Sequence, residues 1–344
     1  MYWHRRGIKR FFRVVIFLVI VVFVLNIIPA KQNVEVNPFI NNGRTPMIAA
    51  HRGGGDNNPE NTMKAFKAAV NEFEVDIIES DLYLTKDGYL VYNHDSYIDR
   101  TCNVNGDITQ KAAKNLPKEK RHYIEDYTLD ELRAFNFGYY FEDENGNRPY
   151  KDIEDLAAYD LQIVEVGELF EEFYQTNKDL KFIIEIKNSS EKGYQAANIL
   201  DDLLTNKYPD YKNQVVIGTF HDEIEQDLKE NHPSLLRGAS TGAAAMFVIT
   251  EMIKLNVIDS GSSFACLQIP MEYDIKGINI KLDEKMYIDR AHKRNIAVQY
   301  WTINDVDEMQ RLIELECDAI MTDNPKLLRE VIEEFYKNGG KFNS

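Results

Sequence analysis

From Met47 onward, short apolar runs of strand length alternate with stretches of helical period, and this alternation constrains the fold more than any other feature of the chain. The strand-like runs cover residues 47–50, 75–84, 180–186, 214–219, 234–238, 264–269, 296–301 and 318–321. Helical periods lie between most of them, at 62–72, 166–175, 193–204, 283–293 and 306–314. Strand then helix, repeated, predicts an α/β protein with a parallel sheet. Eight repeats in about 290 residues predict a closed (β/α)8 TIM barrel over 46–338, with an open doubly wound sheet as the alternative. Residues 96–165 exceed what a βα connection needs and are rich in Tyr, Asp and Glu. They predict an insertion after the second strand, with a short helix near 129–135. No internal repeat interrupts the pattern.

The charge is unevenly placed. The 344 residues carry a formal net charge of -16, with 40 Lys+Arg against 56 Asp+Glu. Residues 1–30 contain Arg5, Arg6, Lys9, Arg10 and Arg13 and no acid, so they carry +5 and the remainder -21. A body this acidic lacks the basic stripe that nucleic-acid binding requires. After the basic cluster, residues 14–25 are apolar without a break. Counted from Phe11, the apolar run is roughly 27 Å long as a helix, enough for a thin or tilted bilayer span with Arg13 snorkelling outward. This predicts an N-terminal transmembrane helix that anchors the protein in the cell membrane, the basic end in the cytoplasm and everything after the helix outside. A cleaved secretory signal, which would release the body, is the competing expectation, although Ile28-Pro29-Ala30 is a poor cleavage site. Residues 31–45 are polar and Asn-rich and suggest a linker. Cys102, Cys266 and Cys317 show no metal-type spacing.

In a barrel, catalytic groups sit at the carboxyl ends of the strands. The first strand ends in His51-Arg52-Gly53-Gly54-Gly55, where glycines let the backbone approach an anion. Glu60, Asn61 and Thr62 suit loop bracing and helix initiation. On the second strand, Glu79 and Asp81 share a face and Ser80 points the other way. Paired carboxylates repel unless a cation lies between them, so they suggest either a hard divalent metal or a salt bridge. The turn Thr85-Lys86-Asp87-Gly88 returns the chain to His94-Asp95, with Asp95 able to orient the imidazole. Glu185 and Lys187 share a face of the third strand and add a third carboxylate and a cation. Three carboxylates can hold one Mg2+ or Ca2+, flanked by His51 and His94 as general acid and base. Arg52 and Lys187 suit an anionic, phosphate-bearing small molecule. Phe220 and Trp301 follow the fourth and seventh strands and can wall the substrate site or simply pack.

These blocks resemble the glycerophosphodiester phosphodiesterase family. The resemblance rests on His51-Arg52-Gly53, Pro59-Glu60-Asn61-Thr62, Glu79-Ser80-Asp81, Thr85-Lys86-Asp87-Gly88 and His94-Asp95. It continues, in the same order, through Glu185-Ile186-Lys187, Trp301-Thr302-Ile303-Asn304-Asp305 and the block from Asp318 to Pro325. It implies a TIM barrel that splits glycerophosphodiesters into glycerol 3-phosphate and an alcohol with a divalent cation. His51 and His94 would be the acid/base pair and Glu79, Asp81 and Glu185 the metal ligands. Arg52 and Lys187 would hold phosphate oxygens. Ser80, Gly55 and the long insertion depart from shorter members. The anchor and insertion motivate a second expectation, a lysophospholipase D-like activity on membrane lysolipids. A non-catalytic envelope protein and a Schiff-base aldolase built on Lys187 are further contenders. The first would not need the full His and carboxylate set, and the second would not need three carboxylates. The pattern does not speak to oligomeric state.

Overall fold

In the computed structural model, residues 2–27, 34–41, 45–106, 108–252, 263–275 and 277–339 are described. Among the described residues, eight parallel strands and the short antiparallel strand Leu90–Tyr92, which pairs with the second of them, form the sheet; the parallel ones are Met47–His51, Ile77–Leu84, Lys181–Ile186, Val215–Gly218, Leu236–Arg237, Cys266–Ile269, Ala297–Tyr300 and Ala319–Thr322. The first strand pairs with the second and the eighth, and the order runs unbroken from the fifth round to the sixth. A bridge between Gly238 and Cys266 joins those last two strands, so the sheet is a nearly closed barrel. The fifth strand is only two residues long, which limits that seam to a single bridge.

The strand pleat sorts the side chains. Ile48, Ile78, Ile184, Ile217 and Ile320 point outward and pack under the helices, while Ala49, Ile77, Ile183, Val216 and Ala319 fill the barrel axis. Helices Met63–Asn71, Val166–Tyr174, Ser190–Asp202, Asp222–Asn231, Lys285–His292, Val306–Glu314 and Pro325–Lys337 cover the outside. Thr62 caps the first of these, its hydroxyl accepting from the Ala65 amide. The insertion has its own small core around Ile98, Ile124, Leu132 and Phe137, with a short helix at Leu129–Leu132.

The polar stretch expected to be a linker is docked where it is described. The Asn37 amide donates to the Ala265 and Asn295 carbonyls at 2.7 and 2.8 Å, and Phe39 is fully buried in the axial core at the amino-terminal end of the strands. Asn41 adds a backbone bond to Asp318 at 2.9 Å.

The chain begins with a 26-residue helix, Tyr2–Ile27, whose residues from Ile8 to Val24 expose large apolar side chains. Among the described residues no helix is long and apolar enough to cross a membrane, so the expected transmembrane helix is not found in that form. The basic residues Lys9, Arg10 and Arg13 interrupt the apolar surface of its first half. The segment 28–33, with the candidate cleavage site, lies outside the described residues.

Candidate active site

All nine residues singled out from sequence line one cavity of about 480 Å³ at the carboxyl ends of the strands. Register explains why. His51 lies opposite Glu79, Asp81 opposite Glu185, and Glu185 opposite Gly218. Ser80 faces outward and donates to Asn61 Oδ1 at 2.5 Å, bracing the loop that precedes the first helix.

Behind His51 the backbone turns sharply, with Arg52, Gly53 and Gly54 all at positive φ (55°, 80° and 90°). Only glycine tolerates the second and third positions, because a Cβ on Gly53 would lie 2.8 Å from the Phe66 ring and one on Gly54 2.8 Å from Pro325. This turn aims the Arg52 N–H at Glu79 Oε2, 3.0 Å away.

Each imidazole is held through Nδ1 by a carboxylate. His51 meets Asp323 at 2.5 Å, and Asp323 in turn accepts from the Asn304 amide at 2.7 Å. His94 meets Asp95 at 3.0 Å. Burial alone would lower the His51 pKa, but Glu79 and the bond to Asp323 outweigh it, and the net shift is upward. Arg100, from the insertion, donates to both oxygens of Glu60 at 2.6 and 2.5 Å and to Asp95 at 2.5 Å. Asp323, Arg100 and the orienting part played by Glu60 had no role assigned from sequence. A signal for Asp323 was available: two positions beyond the inward-facing Met321, it continues the same barrel-lining row.

The carboxylate set differs from the expected metal cage. Lys187 Nζ lies 2.9 Å from Asp81 Oδ1 and 2.8 Å from Glu185 Oε1, and the Glu79 carboxylate turns to the Arg52 amide. Consequently, among the described residues no group of three or more His, Cys, Asp or Glu side chains is arranged as a metal site. Lys187 thus pairs with both acids in this arrangement. Arg52 Nη1 likewise reaches Glu60 at 3.4 Å. The donor chemistry still suits a hard cation: Asp81 Oδ2 is buried with no hydrogen-bond partner. Burial, with Asp81 and Glu185 nearby, pushes the Glu79 carboxyl up to about 7, and burial raises Glu185 as well. Buried acids of this kind lack positive charge.

Phe220 is 60% exposed at the rim, its ring centre 5.6 Å from Lys187 Nζ, and Trp301 follows the seventh strand directly.

Residues 51–327 match the model of the glycerophosphoryl diester phosphodiesterase family. The chain belongs to that family. It is an enzyme of the phosphodiesterase class, since curated relatives of the same name match across nearly their whole length. A glycerophosphodiester phosphodiesterase of Caldanaerobacter subterraneus is 25% identical over 84% of this chain and 98% of its own. The lysophospholipase D GDPD1 of Mus musculus is 25% identical over 83% of this chain and 86% of its own. The barrel is similar to the phosphodiesterase domain of a Mycobacterium tuberculosis protein, with TM-score 0.63 and 16% identity over 83% of this chain and 99% of that one. It is similar also to an Oleispira antarctica phosphodiesterase solved with its product sn-glycerol-3-phosphate, with TM-score 0.59 and 20% identity over 84% and 97%. At such identities the structures speak for the fold. In this family member the insertion supplies Arg100, which ties the first loop to the His94 loop.

Proposed function

We propose that this phosphodiesterase hydrolyses glycerophosphodiesters to glycerol 3-phosphate and an alcohol, with His51 and His94 as the acid/base pair. The observation that carries the reading is that two imidazoles, each fixed at Nδ1 by its own carboxylate, line one cavity with three acids. Fixing Nδ1 leaves Nε2 for proton transfer. One histidine accepts the proton of the glycerol 2-hydroxyl as that oxygen bonds to phosphorus. The other protonates the departing alcohol oxygen, and water then opens the cyclic phosphate with the roles reversed. Arg52 and Lys187, on the cavity wall, would hold phosphate oxygens, and Phe220 and Trp301 would bound the glycerol. Glu79, Asp81 and Glu185 would hold a divalent cation, Mg2+ or Ca2+, which neutralises phosphoryl charge when bound. Release of glycerol 3-phosphate from glycerophosphocholine tests this. Activity that survives EDTA, or that persists in His51→Ala or His94→Ala, contradicts the mechanism; each histidine variant should lose at least a hundredfold.

The helix Tyr2–Ile27 is proposed to hold the protein at the cell membrane, the barrel on the extracytoplasmic side. Its exposed apolar residues and the concentration of positive charge at its start support this. Recovery of the full chain in the soluble fraction, without loss of residues 1–30, would count against it.

A further inference from the structure

The catalytic cavity contains an amide that the phosphodiester chemistry leaves unused. On the sixth strand, Cys266–Ile269, the side chains of Leu267 and Ile269 pack under the helices, whereas Cys266 and Gln268 face the axis. In the order of the sheet this strand stands across the barrel from the second, which carries Glu79 and Asp81. Gln268 Nε2 donates to Gln299 Oε1 at 3.1 Å, and Gln299, opposite it in register, is fully buried. The donor end of the Gln268 amide is thereby committed, and its oxygen reaches toward the ends of the fourth and fifth strands. A Cβ on Gly238 would lie 2.7 Å from that oxygen, and one on Gly218 3.7 Å, so glycine at 238 gives the amide its room. Among the described residues no protein donor reaches Gln268 Oε1. The lining around it is apolar, with Ile183 and Met321 from the strands and Ala244 and Val248 from helix Thr241–Met252.

A carbonyl oxygen has lone pairs and no proton, so it recognises a donor. An apolar group pressed over it would strand a desolvated acceptor. A phosphate offers only acceptors, and the quaternary ammonium of choline carries no N–H. In a glycerophosphodiester the 2-hydroxyl is the attacking group, which leaves the free primary hydroxyl as the uncommitted donor of the glycerol. We propose that Gln268 is a specificity-determining residue whose Oε1 accepts a hydrogen bond from that primary hydroxyl, so that phosphodiesters of unesterified glycerol are preferred. The inference rests on the phosphodiesterase reading of the same cavity. Gln268 moves no proton; it selects the alcohol that the histidines then act on. An ester formed at that oxygen removes the donor just as deletion of the hydroxyl does.

The test uses the full chain and two substrates that differ in that hydroxyl alone, glycerophosphocholine and the phosphocholine ester of propane-1,2-diol. Both keep the attacking 2-hydroxyl. In the wild type kcat/KM should be at least about tenfold higher for glycerophosphocholine. Gln268→Met keeps the length of the side chain without its amide. It should slow glycerophosphocholine at least about tenfold and leave the deoxy substrate within about threefold, which erases the ratio. Gly238→Ala retains Gln268 but fills the space at its oxygen, and the ratio should collapse there too. Thermal melting verifies that each variant folds. Equal kcat/KM for the two substrates in the wild type, a ratio that survives Gln268→Met, or parallel losses on both substrates would overturn the assignment and leave the phosphodiesterase reading intact. A wild type that cleaves neither substrate would overturn the phosphodiesterase reading, and calorimetry with glycerol 3-phosphate and its deoxy analogue then decides the site. Tighter binding of glycerol 3-phosphate, lost in Gln268→Met, upholds it; equal affinity, or no binding, overturns it.

Discussion

Replacing Arg100 by leucine asks whether the insertion is the electrostatic brace of the catalytic face. The guanidinium makes three bonds of 2.5–2.6 Å to Glu60 and Asp95, and the three side chains are only 15, 17 and 18% exposed. Burial alone would raise both carboxyls; Arg100, with His94 beside Asp95, holds both below their usual range. Removing one partner of a buried pair costs about 3–5 kcal/mol, because the other charge is left stranded. Glu60 keeps Arg52 at 3.4 Å and Asp95 keeps His94 at 3.0 Å, so the lower end, about 3 kcal/mol at pH 7.5, is expected. The sign with pH follows from the depressed carboxyls. Their wild-type contribution is present above the ordinary carboxylate value of about 4 and fades as pH falls through the lowered ones. Without the cation the same buried carboxyls shift upward and take up protons, so the deficit of Arg100→Leu should shrink toward pH 4.5. Urea denaturation at pH 7.5 and 4.5 measures both quantities. A loss below about 1 kcal/mol at pH 7.5, or a deficit independent of pH, refutes the brace, since a surface pair is worth no more than that. Asp95 also orients His94, so kcat should fall about tenfold or more; Arg100→Lys should restore charge but not the bidentate grip on Glu60.

Two further substitutions separate stability from chemistry. Phe39→Ala should cost about 3–5 kcal/mol by emptying the bottom of the axial core, with kcat/KM for glycerophosphocholine changed less than twofold. Unchanged thermal melting would show that residues 34–41 add nothing to the barrel. Glu79→Gln probes the buried acids. With its carboxyl raised to about 7, folded wild-type protein retains a proton that the unfolded chain releases near pH 4.3. Stability in EDTA should therefore decline as pH rises between those values, and Glu79→Gln should flatten the decline while abolishing turnover. A variant that keeps the wild-type slope contradicts the assignment.

The barrel was legible because its strands carry β-branched runs bounded by helical periods, and observed ends fall within two residues of those expected. The inward pairs Glu79/Asp81 and Glu185/Lys187 followed from the pleat alone. What the sequence could not convey was how neighbouring strands neutralise each other: that Lys187 settles between Asp81 and Glu185 depends on lateral register. Helix Thr241–Met252 shows little periodicity, being apolar on both its buried and its cavity faces, so alternation did not mark it. Arg100 lies in an insertion with no repeating pattern, 40 residues from Glu60. Nothing local announces such a partner.

The docking of residues 34–41 has a consequence for reach. These residues are fastened at the amino-terminal end of the barrel, and seven residue steps from Ile27 to Val34 span at most about 25 Å. The second strand alone, at about 3.3 Å per residue, carries the catalytic rim a similar distance to the other end. The catalytic rim therefore lies at the opposite end of the barrel from the point where residues 34–41 are fastened.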